Sequence, residues 1–225
     1  PGTVFFCVPG FTRDGHDFAD EAARAGATAL VVDHEVALDP ATPAVVQVLV
    51  PDVRAAMAPA AAALHGDPTA RLKMVGITGT NGKTTSAFLM RDVLEAAGVP
   101  TGMLGTIQNV VGGARSEAVR TTPEAIDLQA TFADMLQGGD EACVMEVSSQ
   151  GLMLDRVFGC EFAAGVFTNL YHDHIGPREH ASMEEYLAAK LLLFRSCRHA
   201  VINRDIACFE QVRAAVTGPC LTYGL

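Results

Sequence analysis

The segment ITGTNGKTTSAF (Ile77–Phe88) carries the residue types of a phosphate-binding loop. Small and flexible residues lead into Lys83 and Thr84, and an apolar helical pattern follows them. In such a loop the backbone N–H groups wrap phosphates, the lysine reaches the outer phosphates, and the threonine hydroxyl binds Mg²⁺. The positive end of the following helix strengthens the same anion site. The generic pattern G-x-x-x-x-G-K-[ST] is not met, because Ile77 stands where its first glycine belongs, so the sequence predicts a variant of that loop.

Further polar residues follow other strand-like segments of the chain. Glu146 ends one such segment, and His172, Asp173 and His174 follow another. A carboxylate at a strand end beside a phosphate loop is well placed to hold Mg²⁺ directly or through water. The two histidines match no zinc-binding spacing, and taken alone they are ordinary loop residues. Lys190 lies in a helical pattern, where a lysine taken alone is expected in solvent.

These residues must be positioned by a series of βα units. Apolar β-branched runs alternate with helical patterns, which is typical of a mainly parallel sheet, and such sheets bind ligands at the carboxyl ends of their strands. The predicted strands are VFFCV, ATALVV, AVVQV, KMVGIT, PTGMLGT, ACVMEV, AAGVFTN, HAVIN and LTYG. The predicted helices are one starting near Asp17, then Asp52–Leu64, Lys83–Ala97, Pro123–Leu136, Ser182–Phe194 and Ile206–Val216.

Three residues give local signals within these helices. Pro59 is expected to kink its helix or to delay its start, because proline lacks the backbone N–H. Pro123 suits a first helical turn, and Ser182 suits an N-cap.

The turn-rich segment HGDPTARL (His65–Leu72) marks the expected domain boundary. We therefore predict an α/β fold with two parts. A small N-terminal α/β domain covers residues 1–66, and a P-loop-type, mainly parallel sheet flanked by helices covers residues 67–225.

Composition excludes several classes of protein. The 225 residues carry a net charge of −10, which argues against a general nucleic-acid binder, because phosphate neutralisation needs clustered Lys and Arg. Six scattered cysteines without a C-x-x-C pair indicate reduced thiols of a cytoplasmic protein. No apolar run is long enough to span a bilayer, and the first residues make a poor signal peptide, so no membrane insertion is expected.

Five motifs occur in an order that resembles one family, the ATP-dependent Mur ligases of peptidoglycan precursor synthesis, and among them the MurE type. The opening segment, PGTVFFCVPGFTRDGHDFADEAARAGATALVV, also looks like the uridine-nucleotide domain of that family. The five motifs are GTNGKTT (79–85), TTP (Thr121–Pro123), MEVSSQGL (Met145–Leu152), FTNLYHDH (Phe167–His174) and EEYLAAKLLLF (Glu184–Phe194).

The resemblance implies an activity and a set of roles. Mur ligases phosphorylate a substrate carboxylate with ATP, and an amino acid attacks the acyl phosphate to give an amide, ADP and phosphate. Lys83, Lys190 and His174 would be catalytic; Thr84, Glu146, His174 and Lys190 would serve metal sites, with Lys190 carbamylated by CO₂. The residues implied to bind ATP are Gly79, Thr80, Asn81, Gly82, Lys83, Thr84 and Thr85.

The resemblance also implies a substrate, UDP-N-acetylmuramoyl-L-Ala-D-Glu, together with an amino acid as the second partner and a monomeric protein. Threonine hydroxyls and an arginine fork suit a sugar, a pyrophosphate and a carboxylate. The residues implied to contact this substrate are Phe11, Thr12, Arg13, Thr121, Thr122, Ser148 and Arg156. Without the resemblance, Thr121 and Thr122 are equally suited to cap the helix that follows them.

Some residues depart from the family pattern. Gln150 stands where MurE proteins commonly carry histidine, Leu154 replaces a frequent glutamine, and the loop HIGPREHASMEEY lacks the usual Asp and His-Gly. The family continues into a C-terminal domain that selects the amino acid, so we expect a fragment that binds nucleotide without completing the ligation. The alternatives are a MurT-like amidating subunit, the ligase half of a cyanophycin synthetase, a generic P-loop kinase and a non-catalytic nucleotide-binding module.

Overall fold

The structure is a computed structural model, and it describes residues 2–10, 12–177 and 179–225. The chain divides into two compact units, Pro1–Ala60 and Ala61–Leu225. This division falls within the helix Val53–Leu64 and lies six residues before the domain boundary expected between residues 66 and 67. The expected domain boundary stays a prediction.

The N-terminal unit contains a three-stranded parallel sheet in the order β1-β2-β3. The strands are β1 (Thr3–Phe6), β2 (Ala27–Val32) and β3 (Val46–Leu49). A 3₁₀ turn (Gly15–Phe18) runs into helix α1 (Ala19–Arg24), and helix α2 (Val53–Leu64) follows β3. The small core packs the buried residues Cys7, Ala19, Leu30 and Val32 between sheet and helix.

The larger unit contains an eight-stranded sheet in the order β11-β10-β9-β4-β8-β5-β6-β7. Its strands are β4 (Lys73–Thr78), β5 (Thr101–Leu104), β6 (Gln108–Val111), β7 (Ala114–Glu117), β8 (Ala142–Glu146), β9 (Phe162–Phe167), β10 (Cys197–Asn203) and β11 (Cys220–Tyr223). Its helices are α3 (Lys83–Ala96), α4 (Ala125–Gln137), α5 (Ser149–Met153), α6 (Met183–Leu191) and α7 (Phe209–Ala214). Pairing is parallel except at β5-β6 and β6-β7, so the predicted α/β class with a mainly parallel sheet is confirmed.

Helices cover both faces of this sheet. Successive strand residues point to opposite faces, and here the residues on each face are apolar and pack against a helix. In β8, Val144 packs in the cluster that contains Ala87 of α3. Its neighbours Cys143 and Met145 pack in a second cluster with Phe132 of α4. The continuous apolar strands of the sequence are therefore buried on both sides, as parallel sheets require.

Several local predictions need correction. The hairpin β6-β7 was not predicted, although its two-residue loop, Gly112–Gly113, has the positive φ angles (53° and 78°) that favour glycine there. Pro59 lies inside α2, which begins at Val53, so a delayed start is wrong. Pro123 lies outside α4, because Glu124 is the N-cap of that helix.

The later helices are also shorter than predicted. The predicted helix to Phe194 ends at Leu191 and continues as a 3₁₀ turn (Leu192–Ser196), and α7 is shorter at both ends than predicted. The Ser182 cap is confirmed, since its side chain accepts a hydrogen bond from the Glu185 amide. Within the described residues, no helix is long and apolar enough to cross a membrane.

Candidate functional site

Three neighbouring strand ends converge at the predicted phosphate loop. β4 lies between β8 and β9, and the chain leaves β4 to build strands on both sides of it. This is a topological switch point, where open parallel sheets bind ligands. The loop 79–82 follows β4, Glu146 ends β8, and Thr168 and Asn169 follow β9.

Two glycines are required by the shape of the loop. Gly79 has φ +141°, and a Cβ there would overlap the Thr168 hydroxyl and approach the Asn169 amide nitrogen to 3.0 Å. Gly82 has φ +82° and forms the N-cap of α3, so the helix begins at Lys83. The loop backbone thereby leads directly into the positive end of a 14-residue helix, which favours bound phosphate.

Thr168 and Asn169 hold the loop in place, a role that the sequence did not predict. The Asn169 side chain accepts from the Asn81 amide (2.8 Å) and donates to the Asn81 carbonyl (3.0 Å). The Thr168 hydroxyl donates to the same carbonyl at 2.8 Å, and the Asn169 carbonyl accepts from the Thr80 amide at 3.0 Å. These bonds satisfy the inner polar groups of the loop and fix its conformation.

Lys83 is folded back onto the loop. Its ammonium donates to the carbonyls of Gly79 (2.9 Å) and Thr80 (2.8 Å). Burial lowers the pKa of Lys83, while the negative charges of Glu146 and Asp173 act in the opposite direction. The ammonium therefore stands over the loop, where it can exchange backbone carbonyls for phosphate oxygens. Thr85, in the first turn of α3, is exposed.

Glu146 is the centre of a cluster of oxygen atoms. Its side chain is buried, and its Oε2 accepts from the hydroxyls of Thr84 (3.0 Å) and Thr106 (3.1 Å). Its Oε1 accepts from the Thr106 amide at 2.8 Å. Gly105 leaves room for this carboxylate, since a Cβ there would approach Oε1 to 2.7 Å. A carboxylate and a hydroxyl oxygen beside a phosphate loop suit Mg²⁺, which prefers oxygen ligands.

Lys190 is buried, with only 1% of its surface exposed. Its ammonium donates to the Gly79 carbonyl at 2.9 Å, the same oxygen that Lys83 contacts, and lies 4.3 Å from the centre of the Tyr186 ring. Burial, and then the charge of Lys83, lower the pKa of Lys190 from 10.5 to about 7, whereas Asp173 acts against the shift. The solvated position that the residue type alone would favour is therefore wrong, and α6 carries this lysine into the site.

Tyr186 connects Lys190 to the loop and to His174. Its hydroxyl is 3.3 Å from the Thr80 hydroxyl, which in turn accepts from the Tyr171 amide at 3.0 Å. The His174 ring lies 5.8 Å from the Tyr186 ring, measured between centroids. His174 itself is exposed, has φ +55°, and pairs through Nδ1 with Glu179 at 2.9 Å. It therefore stands at the rim of the site.

His180 is a buried residue that the sequence did not single out. Its Nε2 lies 2.8 Å from the Ser149 hydroxyl, and its ring packs on Tyr186 with 5.0 Å between centroids. Its amide donates to the His174 carbonyl at 3.1 Å. Burial lowers the pKa of His180, so the neutral imidazole is favoured. This residue fixes the loop that presents His174.

Three of the predicted substrate residues lie close to Glu146. The Thr122 hydroxyl donates to the Glu146 carbonyl (3.1 Å) and accepts from the Ser148 amide (3.0 Å). The Thr121 hydroxyl is 3.1 Å from that of Thr106, which contacts Glu146. Ser148 caps α5 by accepting from the Gly151 amide.

Arg156 completes this network from the other side. Its guanidinium donates to the Thr122 carbonyl at 3.0 Å and pairs with Glu124 at 2.7 Å. Among the departures from the family pattern, Gln150 lies in α5 and is exposed, and Leu154 is the C-cap of that helix.

The remaining predicted substrate residues belong to the N-terminal unit. Thr12 and Arg13 are exposed in the loop after β1, and the Arg13 carbonyl accepts from the Gly10 amide at 2.9 Å. The Arg13 guanidinium lies 5.8 Å from the centre of the Phe18 ring. Phe11 lies outside the described residues.

Two family models match the chain. Residues 1–66 match the model described as Mur ligase family, catalytic domain, and residues 77–225 match the model described as Mur ligase middle domain. The second match alone covers more than half of the chain.

Curated relatives and solved structures agree with these matches. The chain is 43% identical over 222 residues to a UDP-N-acetylmuramoyl-L-alanyl-D-glutamate–2,6-diaminopimelate ligase of Clostridium acetobutylicum, covering 99% of this chain and 45% of the relative. It is 46% identical over 204 residues to a ligase of the same description from Clostridium perfringens, covering 91% and 41%. A solved structure of such a ligase superposes with a TM-score of 0.81 at 28% identity, covering 99% and 46%. The chain thus spans about half the length of the proteins it matches.

Proposed function

This chain belongs to the Mur ligase family, and we propose that the protein uses ATP to add 2,6-diaminopimelate to UDP-N-acetylmuramoyl-L-Ala-D-Glu in peptidoglycan synthesis. The substrate and the amino acid are those in the names of the relatives. The observation that carries the proposal is the pair of lysines, Lys83 and Lys190, on one loop carbonyl beside the Glu146 carboxylate. A cytoplasmic monomer is part of the proposal.

The nucleotide is proposed to bind at the loop that follows β4. Its phosphates would accept from backbone N–H groups at the start of α3 and from the Lys83 ammonium. Lys83 already lies over the loop, held by two carbonyls 2.8 and 2.9 Å away, so little reorganisation is needed. Transfer of the γ-phosphoryl group to a carboxylate brings two anions together, and a fixed ammonium offsets their repulsion.

Magnesium is proposed to bind through Glu146 and Thr84, with His174 near a second ion. When bound, the ions would neutralise charge on the phosphates and on the substrate carboxylate. Glu146 and Thr84 suit the first ion because the Glu146 carboxylate, at the end of β8, and the Thr84 hydroxyl place two oxygen atoms 3.0 Å apart. Thr106 holds the same carboxylate through two further bonds, so Glu146 is oriented before any ion arrives.

Lys190 is proposed to be carbamylated. Attack on CO₂ needs the neutral amine, and the environment that lowers the pKa of Lys190 to about 7 makes that form abundant near neutral pH. The neutral amine nitrogen bonds to the CO₂ carbon and loses one proton, which leaves a carbamate anion. Counted from the ammonium form, two protons are released and the side chain changes from cation to anion. Its repulsion with Lys83 then becomes attraction, which favours the product in this buried place.

The acyl phosphate formed on the substrate would be attacked by the amino group of the incoming amino acid, releasing phosphate and leaving an amide. A short chain of hydrogen bonds links Glu146 to Thr121, Thr122 and Ser148. These three residues are proposed to orient the muramoyl peptide. Arg156 is proposed to act with them, either on a substrate carboxylate or by fixing Thr122. Thr12 and Arg13 are proposed to contact the uridine nucleotide.

The test is phosphate release by the natural gene product at its full length with ATP, Mg²⁺, UDP-N-acetylmuramoyl-L-Ala-D-Glu and a panel of diamino acids. We expect release that requires both the dipeptide and 2,6-diaminopimelate, and the product should gain the mass of that amino acid. UDP-N-acetylmuramoyl-L-Ala, which lacks the accepting glutamate, is the matched control substrate. Bound ATP without release under any of these conditions would reject the ligase in favour of the non-catalytic alternative.

A further inference from the structure

Three metal-binding side chains meet in the N-terminal unit, in a place that the proposed ligase reaction does not use. His16 lies in the 3₁₀ turn before α1, and Asp33 and His34 directly follow β2. One ligand atom from each of the three lies within 4.8 Å of the others. The His16 side chain is buried, whereas His34 is exposed.

The separations of these atoms suit one small ion. His16 Nε2 is 3.3 Å from Asp33 Oδ1, and His34 Nδ1 is 2.5 Å from the same oxygen. Ligand atoms of a tetrahedral zinc site lie about 3.3 Å apart, because each is about 2.0 Å from the metal. The first pair already has that spacing, and the second reaches it by a small rotation of the exposed His34 side chain. The two imidazole rings are stacked with 4.3 Å between centroids.

A fourth residue orients the buried histidine. His16 Nδ1 is 2.6 Å from Asp14 Oδ1, so its N–H donates to that carboxylate. The Asp33 amide donates to Nε2, in a long contact of 3.4 Å, which places a lone pair on the Nε2 side. A histidine that binds metal through one nitrogen almost always donates the other N–H to a carboxylate or carbonyl. Asp14 supplies that outer partner here.

Two acceptor atoms, His16 Nε2 and Asp33 Oδ1, then lie 3.3 Å apart, and a bound metal ion would take the place of the long contact from the Asp33 amide to Nε2. Two such atoms 3.3 Å apart repel unless a proton or a metal ion lies between them. Two imidazoles and one carboxylate, with a second carboxylate behind them, suit a borderline divalent ion such as Zn²⁺ and are a poor match for Mg²⁺, which prefers oxygen ligands.

We propose that His16, Asp33 and His34 form a Zn²⁺ site, completed by water and oriented by Asp14. The ion would link the turn before α1 to the end of β2. The segment between β1 and that turn contains Thr12 and Arg13, so the site would also hold the loop proposed to contact the uridine nucleotide. The inference stands without the ligase reaction, because none of its ligands belongs to the proposed magnesium site.

The experiment is a calorimetric titration with Zn²⁺ in the presence of excess Mg²⁺. The protein carries no affinity tag. Co²⁺ serves as a second probe, since its visible absorption reports the number and type of ligands. The variants are His34→Gln, whose side chain is exposed and which should fold normally, and Asp33→Asn. His199→Gln replaces another exposed histidine and is the matched control.

We expect one Zn²⁺ per chain, with affinity lowered at least 10-fold by His34→Gln and by Asp33→Asn and unchanged by His199→Gln. Asp14→Asn removes the outer hydrogen-bond partner of His16, so it should lower the affinity for Zn²⁺ by 10- to 100-fold. Absence of a Zn²⁺ site in the wild-type protein, or equal affinity in all variants, would overturn the proposal and leave a shared proton between His16 and Asp33.

Discussion

Replacing Lys190 with methionine should stabilise the protein at low pH, although it should abolish the proposed ligase activity. The native ammonium is buried, and its pKa is lowered from 10.5 to about 7 by burial and then by the charge of Lys83. This difference of about 3.5 pH units corresponds to a cost of about 5 kcal/mol for keeping the charged form in the folded protein. Methionine has a similar length and carries no charge, so it removes that cost.

The sign of the pH dependence follows from proton binding. Between pH 7 and 10.5 the unfolded chain holds a proton on Lys190 that the folded chain has lost, so the stability of the wild-type protein rises with pH. The cost is complete below pH 7 and vanishes above pH 10.5. The advantage of Lys190→Met should therefore shrink by about 3 kcal/mol between pH 6 and pH 9, which is about 6–12 °C in Tm for a chain of this size.

The assay is thermal and urea unfolding of both proteins at pH 6 and pH 9 in buffers purged of CO₂, so that no carbamate forms. Lys73→Met replaces an exposed lysine and should show no such pH dependence. If Lys190→Met were more stable than the wild-type protein by the same free energy at both pH values, the lowered pKa of Lys190 would be refuted. In the wild-type protein supplied with ¹³C-bicarbonate near pH 8, a carbamate carbon signal that Lys190→Met lacks would identify the modified residue.

The other predictions concern the loop, the carboxylate and the buried histidine. Gly79→Ala should cost at least about 3 kcal/mol of unfolding free energy, because strain and overlap add, whereas Gly98→Ala, also at positive φ but in open space, should cost about 1 kcal/mol by urea denaturation. Glu146→Gln should lower the Mg²⁺-dependent affinity for ATP about 10-fold or more in calorimetry, whereas the exposed Glu141→Gln should leave it unchanged. His180→Ala should raise the Mg²⁺ concentration needed for half-maximal phosphate release while leaving ATP binding intact, since it loosens only the loop at the rim.

The sequence predicted the parts of this site that depend on local rules. The position of Glu146 beside the loop followed from the rule that parallel strands end at one edge of a sheet, together with the apolar runs that marked β4 and β8. The glycines of the loop and the Ser182 cap followed from local backbone preferences. The Gly112–Gly113 pair is an equally local signal for the β6-β7 hairpin, because both glycines adopt the positive φ angles of its turn.

The parts that were missed depend on contacts between distant residues. Asn169 and Asn81 are 88 positions apart, and Lys190 and Gly79 are 111 apart, so no pattern within one segment reveals either hydrogen bond. Taken alone, Lys190 was expected in solvent, because helical periodicity does not show what covers a helix face, and only the family resemblance assigned it to the site. His180 could not be predicted either, because its burial depends on residues distant in sequence, Ser149 and the ring of Tyr186.

The charges around Gly79 lead to one more prediction, about the order in which ligands stabilise the site. Lys83 and Lys190 as cations balance Glu146 and Asp173 as anions, so the summed charge is about 0. Carbamylation of Lys190 lowers that sum by two units, so phosphates then need divalent ions to bind. CO₂ should therefore raise the affinity for Mg²⁺ in the presence of ADP, and by reciprocity Mg²⁺ should raise the carbamylated fraction. Calorimetric Mg²⁺ titrations with and without bicarbonate measure the first effect, and the ¹³C signal measures the second. If Mg²⁺ affinity were the same in both buffers, the carbamate would not belong to the metal site, and its proposed role would fail even if the modification itself were present.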